Sequence, residues 1–240
     1  MSLTGFDEMF RRDGAVRDHY RTYRDWLQAQ AGADLERKRR EAELLFHRVG
    51  ITFNVYGEAQ GTERLIPFDS VPRIIPAQEW ARLEQGIRQR VQALNLFLHD
   101  IYHEQDIIRA GRMPAEQVFG NVHYQPCMQD IDLPNQVYAH ISGVDLVRDD
   151  EGAWYVLEDN LRTPSGVSYM IENRRMMMRL FPELFSRHHV APVDHYPSLL
   201  LETLQQSSLV SHPTVVLLTP GRFNSAYFEH AFLAQQMGIE

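Results

Sequence analysis

The chain is poor in cysteine. Its 240 residues include only Cys127, so no disulfide can form within the chain, and no C-x-x-C pair is present to bind a metal or carry redox chemistry. A single thiol is typical of a reducing compartment, and we expect it to be buried and inert. His188, His189 and His195 are the candidates for a zinc site, but their spacing matches no tetrahedral ligand pattern.

Excess positive charge and long apolar runs are also lacking. The 24 basic side chains are outnumbered by 32 acidic ones, and the net charge of -8 opposes non-specific binding to nucleic acid. No apolar run reaches the roughly 18 residues of a membrane span, and charges are scattered through the N-terminal segment where a signal peptide would have an apolar core. We therefore expect a cytoplasmic protein with neither nucleic acid nor a membrane as partner.

The first part of the chain, residues 1–112, is predicted to be helical with a short β-hairpin. Apolar residues recur at spacings of three and four along two long segments, and β-forming residues bounded by glycines lie between them. The predicted elements are helices over 20–47, with a break near 31–34, and over 77–103, and strands over 51–58 and 62–68.

The rest of the chain changes to β and then α/β character. In residues 113–212, VYAHISGVDLVR and AWYVLEDN flank the turn DDEG and predict an antiparallel hairpin, with a helix after Pro164. Residues 213–240 combine a short apolar strand, a Pro-Gly turn and a helix ending at Gly238, which begins an α/β lobe. Because a parallel unit with one strand is incomplete, we expect a truncated chain or a partner that supplies the missing strand. The fold class is α+β.

The predicted hairpin brings acidic residues together. In its plainest register a four-residue turn places Asp145 opposite Val156. Since side chains alternate along a strand, Asp145, Glu158 and Asn160 then share one face. A one-residue bulge at Gly152 would move Asp145 to the opposite face. Asp159 lies on the other face. Two carboxylates and an amide oxygen form the hard donor set that suits Mg²⁺, although acids at a strand end also cap turns or pair with arginine.

The residues after the second strand are candidates for an anion site. A turn just before a helix frees backbone amides, and the helix dipole favours negative charge there. The candidates are Arg162, Thr163, Ser165 and Gly166 in the turn, with Arg174 or Arg175 reaching back from the helix. A divalent cation beside an anion site is what phosphoryl transfer requires. The alternative is that these arginines merely pair with Asp159 or Glu172.

The run LEDNLRTPSGVSYMIENR, with SGVDLVRD before it and GRFNSAYFEHAFLAQQMG after it, resembles the circularly permuted ATP-grasp proteins of type 2, relatives of glutathionylspermidine synthetase. The similarity covers nearly the whole chain, and Glu-x-Asn-x-x-x-Pro-Ser-Gly is its most specific part. The resemblance implies an ATP-grasp catalytic portion over 113–212 and the start of a pre-ATP-grasp-like lobe over 213–240. It implies that Mg²⁺ ions bridging the phosphates of ATP are held by Asp145, Glu158 and Asn160, and that phosphate or acyl phosphate is held by Arg162, Ser165, Gly166 and Arg174.

The activity that the resemblance implies is ligation. ATP phosphorylates a carboxylate, and an amine attacks the acyl phosphate to give an amide, so the expected substrates are a small-molecule or peptide carboxylate and an amine. Relatives carry an arginine where this chain has Gly143, and Arg162 is the candidate replacement. Members of the family are longer, and the lysines that grip the nucleotide are expected beyond residue 240. Tyr227 and Glu229 either face a substrate or pack in the helix.

A function of another class also fits the sequence. The alternative is a non-catalytic binding or assembly module, in which the incomplete lobe of residues 213–240 pairs with a second chain. The partner would be a second copy in a dimer or a complementing chain. Nucleotide binding in the presence of Mg²⁺ distinguishes the two functions.

Overall fold

The computed structural model describes residues 5–54, 63–65 and 68–240. The first elements are α1 (Arg21–Ala29), α2 (Gly32–Val49), β1 (Thr52–Asn54) and β2 (Glu63–Leu65). The predicted break between the two helices is confirmed, since the backbone is extended at Gln30 and Ala31. Gly50 ends α2 in the left-handed conformation that glycine adopts without strain. β1 and β2 pair antiparallel, and the rest of the strands predicted over 51–58 and 62–68 falls largely outside the described residues.

A long helix, α3 (Ala77–Tyr102), carries the apolar stripe predicted over 77–103. Pro76 precedes it with the fixed φ that suits a helix start. The stripe is less buried than a core stripe: Trp80 is 51% exposed, and Leu83, Ile87 and Leu94 line a groove of about 670 Å³ together with residues of the following hairpin. Two short helices come next, α4 (Asp106–Arg109) and α5 (Ala115–Phe119).

The second half contains the predicted hairpin followed by four helices. The elements are β3 (Gly143–Arg148), β4 (Trp154–Asn160), α6 (Val167–Leu180), α7 (Pro182–Arg187), α8 (Tyr196–Gln206) and α9 (Tyr227–Met237). The single helix predicted after Pro164 is split at Phe181, because Pro182 lacks the N–H that would continue it. Within the described ranges, none of the helices is long and apolar enough to span a bilayer.

The main core lies where α1 and α2 pack against α6 and α7. Some of its buried aromatic side chains meet edge to face, as in the pair Trp26 and Phe181, whose ring centroids lie 5.4 Å apart. A polar bridge crosses the edge of this core: Lys38 Nζ donates to the carbonyl of Leu180 at 2.6 Å and to Glu183 Oε1 at 3.2 Å. A smaller cluster around Ile101, Tyr102 and Val118 joins α3 to α5.

The N-terminal segment is fastened to the hairpin by an ion-pair cluster centred on Arg148. The Arg148 side chain is 10% exposed and its guanidinium binds Glu8 and Glu79, with Nη1 2.6 Å from Glu8 Oε2. The same guanidinium lies 4.3 Å above the ring of Phe6 and 4.5 Å from that of Trp154. A charge this well enclosed needs both carboxylates, so the cluster ties residues 5–17 and α3 to β3.

Two sequence expectations are wrong. No strand forms over 214–219: within the described residues this segment has only the backbone bond from Leu217 N–H to the Glu240 carbonyl, 2.8 Å, and one bond is too little for a ladder. Val216 and Leu218 are 55% and 89% exposed. Cys127 is exposed rather than buried, because it lies in a one-turn 3-10 helix, Pro126–Met128, which is too short to cover a side chain.

Candidate functional site

The hairpin places Asp145 and Glu158 on the same face, but in a different register from the predicted one. Arg148 pairs with Trp154 rather than Ala153, and an irregularity between Asp145 and Leu146 shifts the ladder again, so that Asp145 lies directly opposite Glu158 and not Val156. One shift of one residue would place Asp145 and Glu158 on opposite faces of the hairpin. The second shift returns them to the same face. The predicted grouping is therefore confirmed, while the predicted register is wrong.

The three candidate metal ligands meet on an exposed surface. Asn160 lies on the same face and donates from Nδ2 to Glu158 Oε1 at 3.1 Å, which leaves its carbonyl oxygen as the atom able to ligate a cation. Partial loss of hydration, then a hydrogen bond with Glu158 and the charge of Glu158, raise the pKa of the Asp145 carboxyl above its ordinary value. Bound Mg²⁺ would offset the repulsion between the two carboxylates, so the donor set fits this ion.

The acidic side chain on the opposite face of the hairpin, Asp159, already has an ion-pair partner. The carboxylate of Asp159 accepts a bidentate pair of hydrogen bonds from Arg90 on α3, with Nε 2.8 Å from Oδ1 and Nη2 2.6 Å from Oδ2. These bonds and the positive charge of Arg90 lower the pKa of Asp159. Arg90 is 69 residues away, and no local pattern points to it. The pairing separates a structural acid, Asp159, from Glu158 on the other face.

The sequence predicted that the turn after β4 leaves its backbone amides open for an external anion, but the amides of Gly166 and Ser168 are occupied. Gly166, at φ +110, precedes α6, and its N–H lies 2.8 and 2.9 Å from the two carboxylate oxygens of Glu229. The N–H and hydroxyl of Ser168 also donate to Glu229, at 2.9 and 2.6 Å. Glu229 is 5% exposed, so of the two fates considered for it, packing against the fold is the observed one. A ligand role for Gly166 stays a prediction and requires this carboxylate to leave.

The candidate arginines differ in their placement. Arg162 and Ser165 are exposed in the turn, and Arg162 Nη1 lies 3.3 Å from His123 Nδ1. The guanidinium of Arg174 points elsewhere: its Nη1 donates to the carbonyl of Ala191 at 2.6 Å, and burial lowers its pKa. Arg175 binds Glu172 and Gln236. The structure thus brings Arg162 and Ser165 to the surface beside β4, while a phosphate role for Arg174 stays a prediction.

Gly143 has a steric reason for being glycine. A Cβ at this position would lie 2.8 Å from Cβ of Pro164 and 3.5 Å from Cβ of Asn160, whereas its φ is not in the left-handed region. The first strand and the turn after the second therefore touch at this point. The arginine that the family resemblance leads us to expect at this position has no room here unless Pro164 moves.

We expect Gly143→Ala to destabilise the fold by about 1–3 kcal/mol, the usual cost of inserting a methyl group into a packed contact. Urea unfolding measures this. Gly86→Ala is the matched control, because Gly86 lies in α3 with open space around its Cβ position, and the substitution should stabilise the helix by about 0.5–1 kcal/mol. Equal effects of the two substitutions would contradict the contact with Pro164.

In the described part of the chain, no group of three or more His, Cys, Asp or Glu side chains forms a metal-binding cluster. The candidate site consists instead of two carboxylates and an amide oxygen, with an exposed arginine and a serine in the next turn. The family described as a circularly permuted ATPgrasp matches residues 72–240, which include every one of these side chains. The chain belongs to the circularly permuted ATP-grasp family.

The relatives extend this assignment along nearly the whole chain. It is 47% identical over 238 residues to uncharacterized protein sll0335 of Synechocystis and 48% identical over 237 residues to uncharacterized protein Rv2411c of Mycobacterium tuberculosis. It is 38% identical over 239 residues to a Frankia casuarinae protein named "Putative glutamate--cysteine ligase 2-2". Each match covers 98% of the chain but only 49%, 42% and 27% of these relatives. The chain thus spans half or less of the length of the relatives it matches.

Proposed function

We propose that this chain contributes the magnesium- and phosphate-binding part of an ATP-dependent carboxylate–amine ligase. The observation that carries the proposal is the pairing of Asp145 with Glu158 on an exposed strand face, with Asn160 beside them and a polar turn following directly. Family membership supports it, since the match includes all these residues. The name of the Frankia relative describes a reaction of this type, but 73% of that protein lies outside the match, so its name weighs less than the site geometry.

Each group has a role that follows from its chemistry. Asp145 and Glu158 would hold Mg²⁺, and the hydrogen bond from Asn160 orients the carboxylate of Glu158. When bound, Mg²⁺ neutralises phosphate charge during transfer to the carboxylate substrate. Arg162 and Ser165 would contact the phosphate or the acyl phosphate by side-chain donors, because the amide of Gly166 is engaged by Glu229. Val147 and Tyr155, an exposed apolar pair on the same face, lie toward the hairpin turn.

The proposal predicts that Glu158→Gln weakens binding of ATP in the presence of Mg²⁺ by at least about 10–100-fold, the loss seen when even an outer partner of a bound metal is removed. Isothermal titration calorimetry on this chain measures it. Asp159→Asn is the matched control: it removes the neighbouring carboxylate, which faces away and pairs with Arg90. Unchanged binding in Glu158→Gln, or equal losses in both variants, would refute the magnesium site.

A second candidate function is an assembly module that pairs with another chain or a second copy. The observation that favours it is the open apolar face of 214–219, where Val216 and Leu218 alternate with the half-buried Val215 and Leu217. An extended segment that exposes apolar side chains on one face is a surface that another chain could cover. Light scattering, which gives the oligomeric state, and calorimetry, which gives ATP binding, together separate the two candidates. A stable dimer that does not bind ATP with Mg²⁺ favours the module, and a monomer that binds it favours the ligase.

A further inference from the structure

The carboxylate of Glu229 is held at the N-terminus of α6 by donors from that end of the helix. Both of its oxygens accept from Gly166 N–H, and one also accepts from the N–H and hydroxyl of Ser168, all at 2.6–2.9 Å. The first amides of a helix have no partner within the helix, and the helix dipole favours negative charge at this end. Glu229 therefore satisfies the start of α6 from α9, 61 to 63 residues away in the chain.

The residues that Glu229 binds lie immediately after the exposed polar turn. Gly166 is the position where the extended backbone after β4 enters α6, and its φ of +110 is a conformation that other residues rarely adopt. Ser165 and Arg162 precede it by one and four residues. When the amides of Gly166 and Ser168 are fixed, the backbone that carries these two side chains is fixed at one end, and Pro164, which lies between them, packs on Gly143.

We propose that Glu229 is a positioning residue that holds the turn between β4 and α6 so that Ser165 and Arg162 face the phosphates beside the Asp145–Glu158 pair. This inference rests on the proposed function. Glu229 touches neither of the two candidate phosphate-binding side chains and acts through the backbone of Gly166 and Ser168. It also connects α9, the last helix of the chain, to the site, because any displacement of α9 moves the anchor of the turn.

The variant that tests the inference is Glu229→Gln. An amide keeps the size of the side chain but removes the charge and presents a donor to one of the donors now bound. We expect the dissociation constant for ATP with Mg²⁺ to rise about 10-fold, the lower end of the range for loss of an outer partner. We also expect hydrogen exchange at the amides of Gly166 and Ser168 to accelerate at least about 10-fold, with exchange in α3 unchanged.

Three further variants distinguish positioning from general loss of structure. Gln235→Ala removes an exposed side chain of the same helix and should change neither measurement. Glu229→Asp keeps the charge on a shorter side chain and should recover part of the affinity. Ser168→Ala removes one donor and leaves the bonds to Gly166, so it should have a smaller effect, and it serves as the test if Glu229→Gln does not fold.

Two results would overturn the inference. One is faster exchange at Gly166 and Ser168 with unchanged nucleotide affinity, since the turn would then not need its anchor. The other is a loss of affinity that only follows the fraction of unfolded protein, with exchange accelerated throughout. Failure of the proposed function has a different signature, because Glu158→Gln would then leave binding of ATP and Mg²⁺ unchanged whatever the Glu229 variants do.

Discussion

Arg148→Ala is expected to lower the free energy of unfolding by about 3–5 kcal/mol, because it leaves the enclosed carboxylate of Glu79 without its cation and that of Glu8 with Arg73 alone. Glu8 and Glu79 have side chains only 17% and 24% exposed, and both bind the guanidinium. The substitution also removes a planar group that lies between the rings of Phe6 and Trp154. Urea or guanidinium unfolding measures the effect as a shift in midpoint.

The control for Arg148 is another arginine in an ion pair. Arg88 binds Glu84 one turn away on α3, with 2.7 Å between Arg88 Nη2 and Glu84 Oε1, but its side chain is 77% exposed. Exposed pairs of this kind contribute about 0.3–0.5 kcal/mol, so Arg88→Ala should be nearly neutral. If the two substitutions have similar costs, Arg148 does not fasten the N-terminal segment to the hairpin.

Phe181→Ala is the second substitution with a large expected effect, a loss of about 3–5 kcal/mol through the cavity it leaves in the main core. The side chain is fully buried and meets Trp26 edge to face, and its ring centroid lies 4.7 Å from Lys38 Nζ. Phe181 also marks the junction of α6 and α7, so a cavity there loosens the end of the helix whose start borders the candidate site.

Met178→Ala provides the comparison for Phe181. Met178 lies three residues earlier in α6 and is 52% exposed, so its removal creates no cavity and should change stability by no more than about 0.5 kcal/mol. In chemical denaturation, an unchanged slope of the unfolding free energy against denaturant concentration would show that both variants keep the native compactness. A cost for Phe181→Ala below about 1 kcal/mol would mean that the surrounding aromatic rings close the space.

Much of the fold could be predicted from local patterns. Helical spacing of apolar residues located α1 to α3 and α6, and β-branched and aromatic runs around DDEG located the hairpin. The three consecutive methionines at 176–178 show the limit of composition: Met176 is buried and Met178 is exposed, since a helix turns about 100° per residue. Helix α8 was not predicted, because no pattern over 196–206 was distinguished from its surroundings.

Less of the candidate site could be predicted, because its geometry depends on contacts distant in sequence. The acids Asp145 and Glu158 were grouped correctly, but by a register that the hairpin does not have, and the agreement depends on two shifts that compensate each other. The turn after β4 was expected to offer free amides, and the residue that binds them lies on α9. Glu229 was noted as one of two polar residues at a helix start, with nothing local to say where it points.

The amino-acid sequence by itself determined which residues carry the candidate chemistry, their order along two strands and a turn, and the alternation that brings acids to one face, because all of these are properties of short segments. Tertiary packing decided which of these groups remain open. Asp159 forms an ion pair with Arg90, Glu229 accepts hydrogen bonds from the amides at the start of α6, and Arg174 donates to a backbone carbonyl. Asp145, Glu158 and Arg162 stay exposed. The physical reason is that a buried charge or amide must find a partner, and that partner can lie anywhere in the chain.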